Sequence, residues 1–299
     1  MAATVAREGA AGRAWIESLP DRIDSLTRRW DLSPDGPYLH GYVGIVIPVV
    51  RHDRKCMLKI SWQDADSEHE SDALRAWAGN GAVELIDFDR AEGALLLERL
   101  DARTDLASLP ADQSIEVAGQ LLRRLSIVAP SWSRSLHREM ESMRAELPER
   151  WESAGRPGAD SLLERACRII DELGPSSGDR LVNTDLHYQN VLAGQREPWL
   201  VIDPKVLAGD PEYGAAPLLW QPFPAIRSRR ELDRRLDILI EAAELDASKT
   251  RAWTFVRVLD YWLWALEQGL SEDSARSAVL AQWLTGSEGV PAPRHSPHR

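Results

Sequence analysis

The character of this 299-residue sequence changes near residue 100, and the change limits the folds that the chain can adopt. Before it, short β-branched or apolar segments between turn residues are typical of strands. After it, apolar residues recur at helical spacing over long stretches. The pattern predicts an α+β protein with a small β-rich N-terminal lobe (residues 1–100) and a larger helical C-terminal lobe (residues 101–288). The Pro-rich segment 289–299 is predicted to be a disordered tail.

The N-terminal lobe is predicted to begin with a helix in the first thirty residues, broken by Pro20. Two hairpins follow, and a short helix lies between them. The predicted strands are Gly41–Val50, Lys55–Ile60, Val83–Asp89 and Ala94–Arg99. The predicted long helices of the C-terminal lobe are Ile115–Val128, Ser133–Arg150, Ser161–Leu173, Leu232–Leu245 and Ser248–Gln268. Short apolar strands are predicted near Arg180–Val182, Val191–Leu192 and Trp199–Ile202.

Composition and charge exclude several classes of protein. The formal net charge of −11 disfavours a general nucleic-acid binder and suits a cationic small molecule, although solubility alone also explains it. Two cysteines are too few for a disulfide framework. The N-terminal segment has no apolar signal core, and no apolar stretch is long enough to span a bilayer. We therefore expect a cytoplasmic monomer or weak dimer that binds neither nucleic acid nor membrane.

The segment Thr184–Lys205 carries the strongest chemical signal in the chain. Four residues separate Asp185 from Asn190, and Asp203 follows a short apolar strand thirteen residues after Asn190. Phosphoryl transfer from ATP needs a carboxylate that orients the acceptor hydroxyl and accepts its proton, and hard oxygen ligands that hold Mg²⁺. Asp185 fits the first role, and Asn190 and Asp203 fit the second. The spacing of the first two residues is common by itself, but the strand and the second aspartate make it favour a phosphotransferase.

The N-terminal lobe offers a cation for the phosphates of a nucleotide. Lys59 ends an apolar predicted strand, where its ammonium group can neutralise phosphate charge. The alternative is a solvated lysine at a sheet edge. Glu70 is the preferred partner of Lys59 because it shares a helical face with Leu74, and Glu68 is the competing choice.

Two further segments are candidates for nucleotide contacts. The hairpin that contains Gly41 and Gly44 could close over the triphosphate, although it lacks a full glycine-rich fingerprint. Backbone groups from Glu98 to Leu100 could contact the adenine edge, since this segment links the two predicted lobes.

The chain resembles the aminoglycoside phosphotransferase family, and within it the streptomycin 6-phosphotransferase and hydroxyurea phosphotransferase branch. The stretches that carry the resemblance are GRAWIESLP, ESDALRAWAGNG, LLLERLDA, DLHYQNVLAGQREPWLVIDPK and GDPEY. The resemblance implies a protein-kinase-like two-lobe fold and ATP- and Mg²⁺-dependent phosphorylation of a hydroxyl group on an aminoglycoside-type, streptomycin-like antibiotic. By motif position it implies that Asp185 is the catalytic aspartate and that Asn190 and Asp203 are metal ligands. It likewise implies that Lys59 and Glu70 form the phosphate-binding pair.

Two positions depart from the pattern of that family. Asn183 stands where the family usually has a histidine. Gly214 stands where an aspartate usually follows the Gly-Asp-Pro motif, which is Gly209–Pro211 in this chain. In kinase-like folds these positions normally brace the catalytic loop from behind. Two alternatives therefore stand beside an antibiotic kinase: a kinase of another small hydroxyl compound such as hydroxyurea, and a kinase-like protein that binds its ligand with weak or no turnover.

The predicted helix Ser248–Gln268 offers candidate contacts for a cationic acceptor. Asp260, Trp264 and Glu267 lie on one helical face at spacings of four and three residues. Carboxylates attract cations, and guanidinium groups stack on aromatic rings. The alternative is that the aromatic side chains of this helix fill the core and that the acids form a solvated edge.

Overall fold

The computed structural model of the chain describes residues 2–40, 44–64, 67–222 and 224–286. Gly41 and the tail 289–299 lie outside the described residues. The chain divides into two units. The first contains Met1–Leu106 and Asn190–Val206, and the second contains Ala107–Gln189 and Leu207–Arg299.

The first unit is built on an antiparallel sheet with the strand order β1-β3-β4-β6-β5, in which β2 also pairs with β3. The strands of this sheet are β1 (Ser33–Pro34), β2 (Leu39–His40), β3 (Gly44–Arg51), β4 (Arg54–Ser61), β5 (Leu85–Asp89) and β6 (Ala94–Glu98). Helix α1 (Ala2–Arg29) precedes the sheet, and helix α2 (Glu70–Trp77) lies between β4 and β5 in the chain. Both predicted hairpins are therefore present.

Strand β4 has one face in the core of the first unit and one face that points away from that core. Cys56, Leu58 and Ile60 are fully buried and belong to the same hydrophobic cluster as the apolar side chains of α1. Because successive side chains of a strand point to opposite faces, Met57 and Lys59 lie on the other face. The alternation thus directs a lysine away from the core.

Helix α1 continues through Pro20, so the predicted break at that residue is wrong. The lost backbone hydrogen bond is offset by the burial of Leu19 and Leu26 in the core of the first unit. The helix is instead interrupted at Gly9, which has φ 58°. A residue without Cβ adopts this conformation at little steric cost.

A second, three-stranded sheet explains why residues 190–206 belong to the first unit. It has the order β10-β9-β7. Its strands are β7 (Asp101–Asp105), β9 (Val191–Ala193) and β10 (Trp199–Val201). The N–H of Val83 donates to the carbonyl of Val201 at 2.9 Å, and the N–H of Val201 donates to the carbonyl of Gly81 at 3.0 Å. The sequence placed all residues after 100 in the second lobe. These long-range backbone bonds, which local patterns do not reveal, are the reason for the difference.

The second unit is mainly helical. Its helices are α3 (Ala111–Leu125), α4 (Leu136–Ser153), α5 (Asp160–Leu173), α6 (Pro217–Trp220), α7 (Arg229–Ala243), α8 (Ala247–Glu267) and α9 (Ser271–Leu284). Strand β8 (Arg180–Asn183) pairs with β11 (Val206–Gly209), which begins at the last residue of the first unit. The sequence patterns predicted α3, α4, α5, α7 and α8 with small shifts at their ends, but they missed α9.

Helix α8 forms the centre of the second unit. Trp253, Phe255, Leu259 and Leu263 are buried within it, and α8 packs against both α5 and α9. Buried apolar residues lie on several sides of this helix, which is typical of a core helix. Within the described part of the chain, no helix combines the length and apolar character that crossing a membrane requires.

Candidate active site

One lysine and two carboxylates meet on the face of β4 that points away from the core. The Nζ atom of Lys59 donates to both carboxylate oxygens of Glu70 at 2.7 Å and to Oδ1 of Asp203 at 2.6 Å. The side chains of Lys59 and Glu70 are 13% and 5% exposed, whereas that of Asp203 is 56% exposed. The structure therefore brings Glu70 to Lys59, while Asp203 also reaches solvent.

The electrostatics of this cluster keep Lys59 charged. Burial lowers the pKa of Lys59, but the negative charges of Glu70 and Asp203 outweigh that effect and raise the pKa above its ordinary value. Burial also raises the pKa of Glu70 to about 7; the charge of Lys59 opposes this increase and the charge of Asp203 adds to it. A buried ammonium group that stays protonated is suited to holding phosphate oxygens.

Asp203 occupies a backbone conformation that few residues adopt. Its φ of 52° lies in the left-handed region, where aspartate is tolerated better than most side chains. Such strained residues concentrate at functional sites, where the surrounding structure holds them in place. The N–H of the preceding residue, Ile202, donates to the carbonyl oxygen of Asn190 at 2.9 Å, so the segments that carry Asn190 and Asp203 run side by side. Asn190 is 8% exposed.

A cavity of about 240 Å³ lies in the first unit beside the charged cluster. Lys59, Glu70 and Asp203 form its charged wall. The other residues that line it are Leu39, Val46, Met57, Val83, Leu97, Glu98, Leu100, Ala102, Leu192 and Ile202. An apolar cavity with a few charged groups is typical of a ligand site, and this one suits a flat base linked to phosphates.

The other candidates for nucleotide contacts that the structure describes are Glu98, Leu100 and Gly44, and only the first two line the cavity. The carboxylate of Glu98 accepts hydrogen bonds from the N–H of Glu84 and from Arg196, both at 2.9 Å. Gly44 is packed against β4, because a Cβ there would lie only 2.6 Å from the carbonyl oxygen of Ile60. This close approach of two backbones accounts for the glycine.

The loop that carries Asp185 belongs to the second unit and follows β8 directly. The N–H of Asp185 donates to the side-chain oxygen of Asn183 at 3.0 Å. The carbonyl oxygen of Thr184 accepts a hydrogen bond of 2.8 Å from Arg257 on α8. A turn of 3₁₀ helix, Tyr188–Asn190, ends the loop. Asp185 is thus placed by side chains from β8 and α8.

The three predicted acceptor contacts on α8 lie in two environments. Asp260 and Glu267 both accept hydrogen bonds from Arg150 on α4, at 2.5 Å and 2.8 Å. Trp264 is 38% exposed and stacks on Tyr261, with 5.3 Å between the ring centroids. The two acids therefore form ion pairs between α8 and α4. Trp264 belongs to an aromatic surface that also contains Tyr261 and Trp220.

The aromatic surface extends toward the loop of Asp185. Tyr261 also stacks on Trp220, with ring centroids 4.5 Å apart and planes inclined by 7°. Burial raises the pKa of Tyr261 to about 12, and the negative charges of Asp273 and Asp185 add to the increase. Tyr261 thus lies close enough to Asp185 for the charge of Asp185 to affect the pKa of Tyr261.

Sequence reasoning did not select Arg257, Trp220 or Tyr261 as site residues, although Arg257 and Tyr261 lie on the predicted helix Ser248–Gln268. A signal was present for Arg257, because an arginine among the buried residues of an apolar helix needs fixed partners. No comparable signal was present for Trp220, which lies on the short helix α6, more than thirty residues before Tyr261 in the chain.

Comparison with known proteins identifies the family. The family model for aminoglycoside/hydroxyurea antibiotic resistance kinases matches residues 29–269. A hydroxyurea phosphotransferase of Kitasatospora aureofaciens is 42% identical over 94% of this chain and 83% of its own length. A streptomycin 6-kinase of Streptomyces glaucescens is 38% identical over 96% of each chain.

A solved structure supports the same conclusion for the fold. A thermostable mutant of the aminoglycoside phosphotransferase APH(4)-Ia, in a ternary complex with ADP and hygromycin B, matches with a TM-score of 0.62. The match covers 89% of this chain and 99% of that one at 15% identity. The predicted α+β, protein-kinase-like fold and the predicted phosphotransferase activity on an alcohol group are confirmed. The chain belongs to the aminoglycoside/hydroxyurea antibiotic resistance kinase family.

Proposed function

We propose that this protein transfers the γ-phosphate of ATP to a hydroxyl group of a streptomycin-like aminoglycoside and thereby inactivates the antibiotic. The observation that carries the proposal is the contact of Lys59 with Glu70 and Asp203 at the wall of an apolar cavity. The choice of acceptor is supported by the streptomycin 6-kinase that matches over 96% of both chains.

Two side chains fit a magnesium ion: that of Asp203, which lines the cavity, and that of Asn190, which lies in the neighbouring segment. Mg²⁺ prefers hard oxygen ligands and is usually held by one or two protein groups together with phosphates. The half-exposed carboxylate of Asp203 and the amide oxygen of Asn190 lie in neighbouring segments and supply such ligands. When bound there, the ion would neutralise phosphate charge.

The proposed reaction gives each of these chemical groups one task. Lys59 holds the phosphates through its ammonium group. The acceptor oxygen forms a bond to the γ-phosphorus while the bond from that phosphorus to the β–γ bridging oxygen breaks, and ADP leaves. The proton of the acceptor hydroxyl passes to the carboxylate of Asp185. Catalysis then depends mainly on positioning and on electrostatic stabilisation.

Hydroxyurea is the second candidate acceptor, and two observations favour it. The relative that is 42% identical is a hydroxyurea phosphotransferase. In addition, Arg150 binds the carboxylates of Asp260 and Glu267 and offsets one of their two negative charges, so the group offers a cation only one net charge. A small neutral acceptor needs no such charge.

The test is a transfer assay with radiolabelled ATP, Mg²⁺ and a panel containing streptomycin, hygromycin B and hydroxyurea. We expect labelled streptomycin from the wild-type protein and none above background from Asp185→Asn. Asp179→Asn is the matched control because Asp179 is an exposed aspartate six residues earlier in the chain, and it should keep full activity. Transfer to hydroxyurea alone would establish the second candidate. Tight ATP binding without transfer to any acceptor would refute the proposal and favour a ligand-binding role.

A further inference from the structure

The peptide unit that immediately precedes Asp185 is held at both of its polar atoms. Its carbonyl oxygen, which belongs to Thr184, accepts a hydrogen bond of 2.8 Å from Nη1 of Arg257. Its N–H, which belongs to Asp185, donates to the side-chain oxygen of Asn183 at 3.0 Å. Because a peptide unit is planar, two bonds at opposite edges fix its orientation. They also restrict the two backbone dihedral angles that aim the Asp185 side chain.

Arg257 is itself held firmly. Its guanidinium lies over the ring of Tyr213 at 4.7 Å and over the ring of Trp220 at 5.2 Å. Nη1 also donates to the carbonyl oxygen of Tyr213 at 3.3 Å. Planar stacking and hydrogen bonds from a permanent charge suit arginine better than lysine. The side chain therefore connects α8, the segment after β11 and the Asp185 loop.

Gly214 explains why the loop is braced in this manner. A Cβ at this position would lie 2.9 Å from the carbonyl oxygen of Asn183, 2.9 Å from Cδ1 of Leu122 and 3.1 Å from Cγ1 of Val182. The backbone at Gly214 thus approaches the end of β8 too closely for a side chain. The aspartate that the family usually has at this position does not fit here, and the loop takes its support from elsewhere.

We propose that Arg257, together with Asn183, is a positioning residue that orients the Asp185 loop for phosphoryl transfer. The inference rests on the proposed function, in which Asp185 receives the proton of the acceptor. It also fits the departures at positions 183 and 214: in this chain the loop is held by an arginine on α8 and by the amide side chain of Asn183. Arg257 touches neither the acceptor nor the phosphates in this role, so its loss should change kcat far more than the affinity for ATP.

The experiment compares Arg257→Met with Arg251→Met. Arg251 lies on the same helix and forms ion pairs with Asp233 and Asp237 on α7, so it is a matched control with no contact to the loop. We expect Arg257→Met to lower kcat by about 10- to 100-fold, as small displacements of reacting groups do. The KM for ATP should change less than about twofold. Arg257→Lys should recover part of kcat, because lysine keeps one charged donor.

Hydrogen exchange of residues 183–187 is measured on the same variants in the absence of acceptor. Faster exchange in Arg257→Met and wild-type exchange in Arg251→Met are expected. Unchanged exchange in Arg257→Met, or an unchanged kcat, would overturn the proposal. If the wild-type protein transfers no phosphate but the loop exchanges faster in Arg257→Met, the brace stands and the proposed function fails. Should Arg257→Met not fold, Arg257→Gln undergoes the same two measurements, with the same outcomes deciding.

Discussion

Replacing Lys59 with methionine should destabilise the protein and weaken its use of ATP, and the two effects can be separated. Lys59 is the cation that balances Glu70, whose side chain is only 5% exposed. Removing one partner of a buried ion pair costs about 3–5 kcal/mol, because the other group is left buried without its partner, either as a charge or as an acid that must first take up a proton. Thermal unfolding should therefore occur roughly 5–15 °C lower than in the wild-type protein.

The same change removes the ammonium group that is proposed to hold the phosphates. A hydrogen bond to a charged group is worth about 1.5–3 kcal/mol, which corresponds to a loss of about 10- to 150-fold in kcat/KM for ATP. Steady-state kinetics at varied ATP concentration measures this loss. Lys55→Met is the control, since Lys55 is an exposed lysine on the same strand, and it should stay within about 0.5 kcal/mol of wild type.

The double variant Lys59→Met/Glu70→Met separates stability from function. Without either buried charge, it should regain stability to within about 1 kcal/mol of wild type, because apolar side chains replace buried ion pairs well. Asp203, which is 56% exposed, can be hydrated. The kcat/KM for ATP should stay low. A double variant as unstable as Lys59→Met, or a Lys59→Met protein with wild-type kinetics, would show that the reasoning about this pair is incorrect.

Three further substitutions probe the second unit. Gly214→Ala places a methyl group 2.9 Å from a backbone carbonyl oxygen. The substitution should therefore lower the free energy of unfolding by about 1–3 kcal/mol, as measured by denaturant unfolding. It should also lower kcat in the transfer assay. Trp253→Phe removes the 2.9 Å hydrogen bond from the indole N–H to the buried carboxylate of Asp210, and thermal unfolding should show a loss of about 1–3 kcal/mol. Asp260→Asn weakens a partly exposed pair with Arg150, so it should cost about 1 kcal/mol or less and leave the KM for the acceptor unchanged.

For each of these three substitutions, one result would contradict the expectation. Wild-type stability in Gly214→Ala would mean that the end of β8 moves away at no cost. Gly174→Ala is its control, because φ is −55° there and the nearest atom to the new methyl group, Cβ of Met140, lies at 3.3 Å rather than 2.9 Å. A Trp253→Phe protein as stable as wild type would show that Asp210 needs no indole donor. A several-fold rise in acceptor KM for Asp260→Asn would restore that acid as an acceptor contact.

The sequence was informative wherever the relevant signal is local. The apolar run of the predicted strand Lys55–Ile60 placed Lys59 at the end of a strand, and the shared face with Leu74 favoured Glu70 over Glu68. The structure brings Glu70 to Lys59. The order of Asp185, Asn190 and Asp203 was readable because chemistry and spacing are both properties of one short segment.

Local patterns did not reveal which partner each charged group would choose. Asp260, Trp264 and Glu267 share a helical face, but only the position of Arg150 on another helix decides that the two acids form ion pairs with it. Likewise, the support that Arg257 gives to Thr184 joins residues 73 positions apart in the chain.

The sequence by itself determined most of the secondary structure, the family and the chemical groups available for phosphoryl transfer, because periodicity and motif spacing are encoded over a few residues. Only the tertiary structure decided that residues 190–206 pair with strands of the first unit and that Gly214 leaves no room for a side chain behind the Asp185 loop. The contact between Lys59 and Asp203 spans 144 positions. Contacts at such separations form only when the whole chain packs, since their free energy depends on burial and on partners that no local pattern specifies.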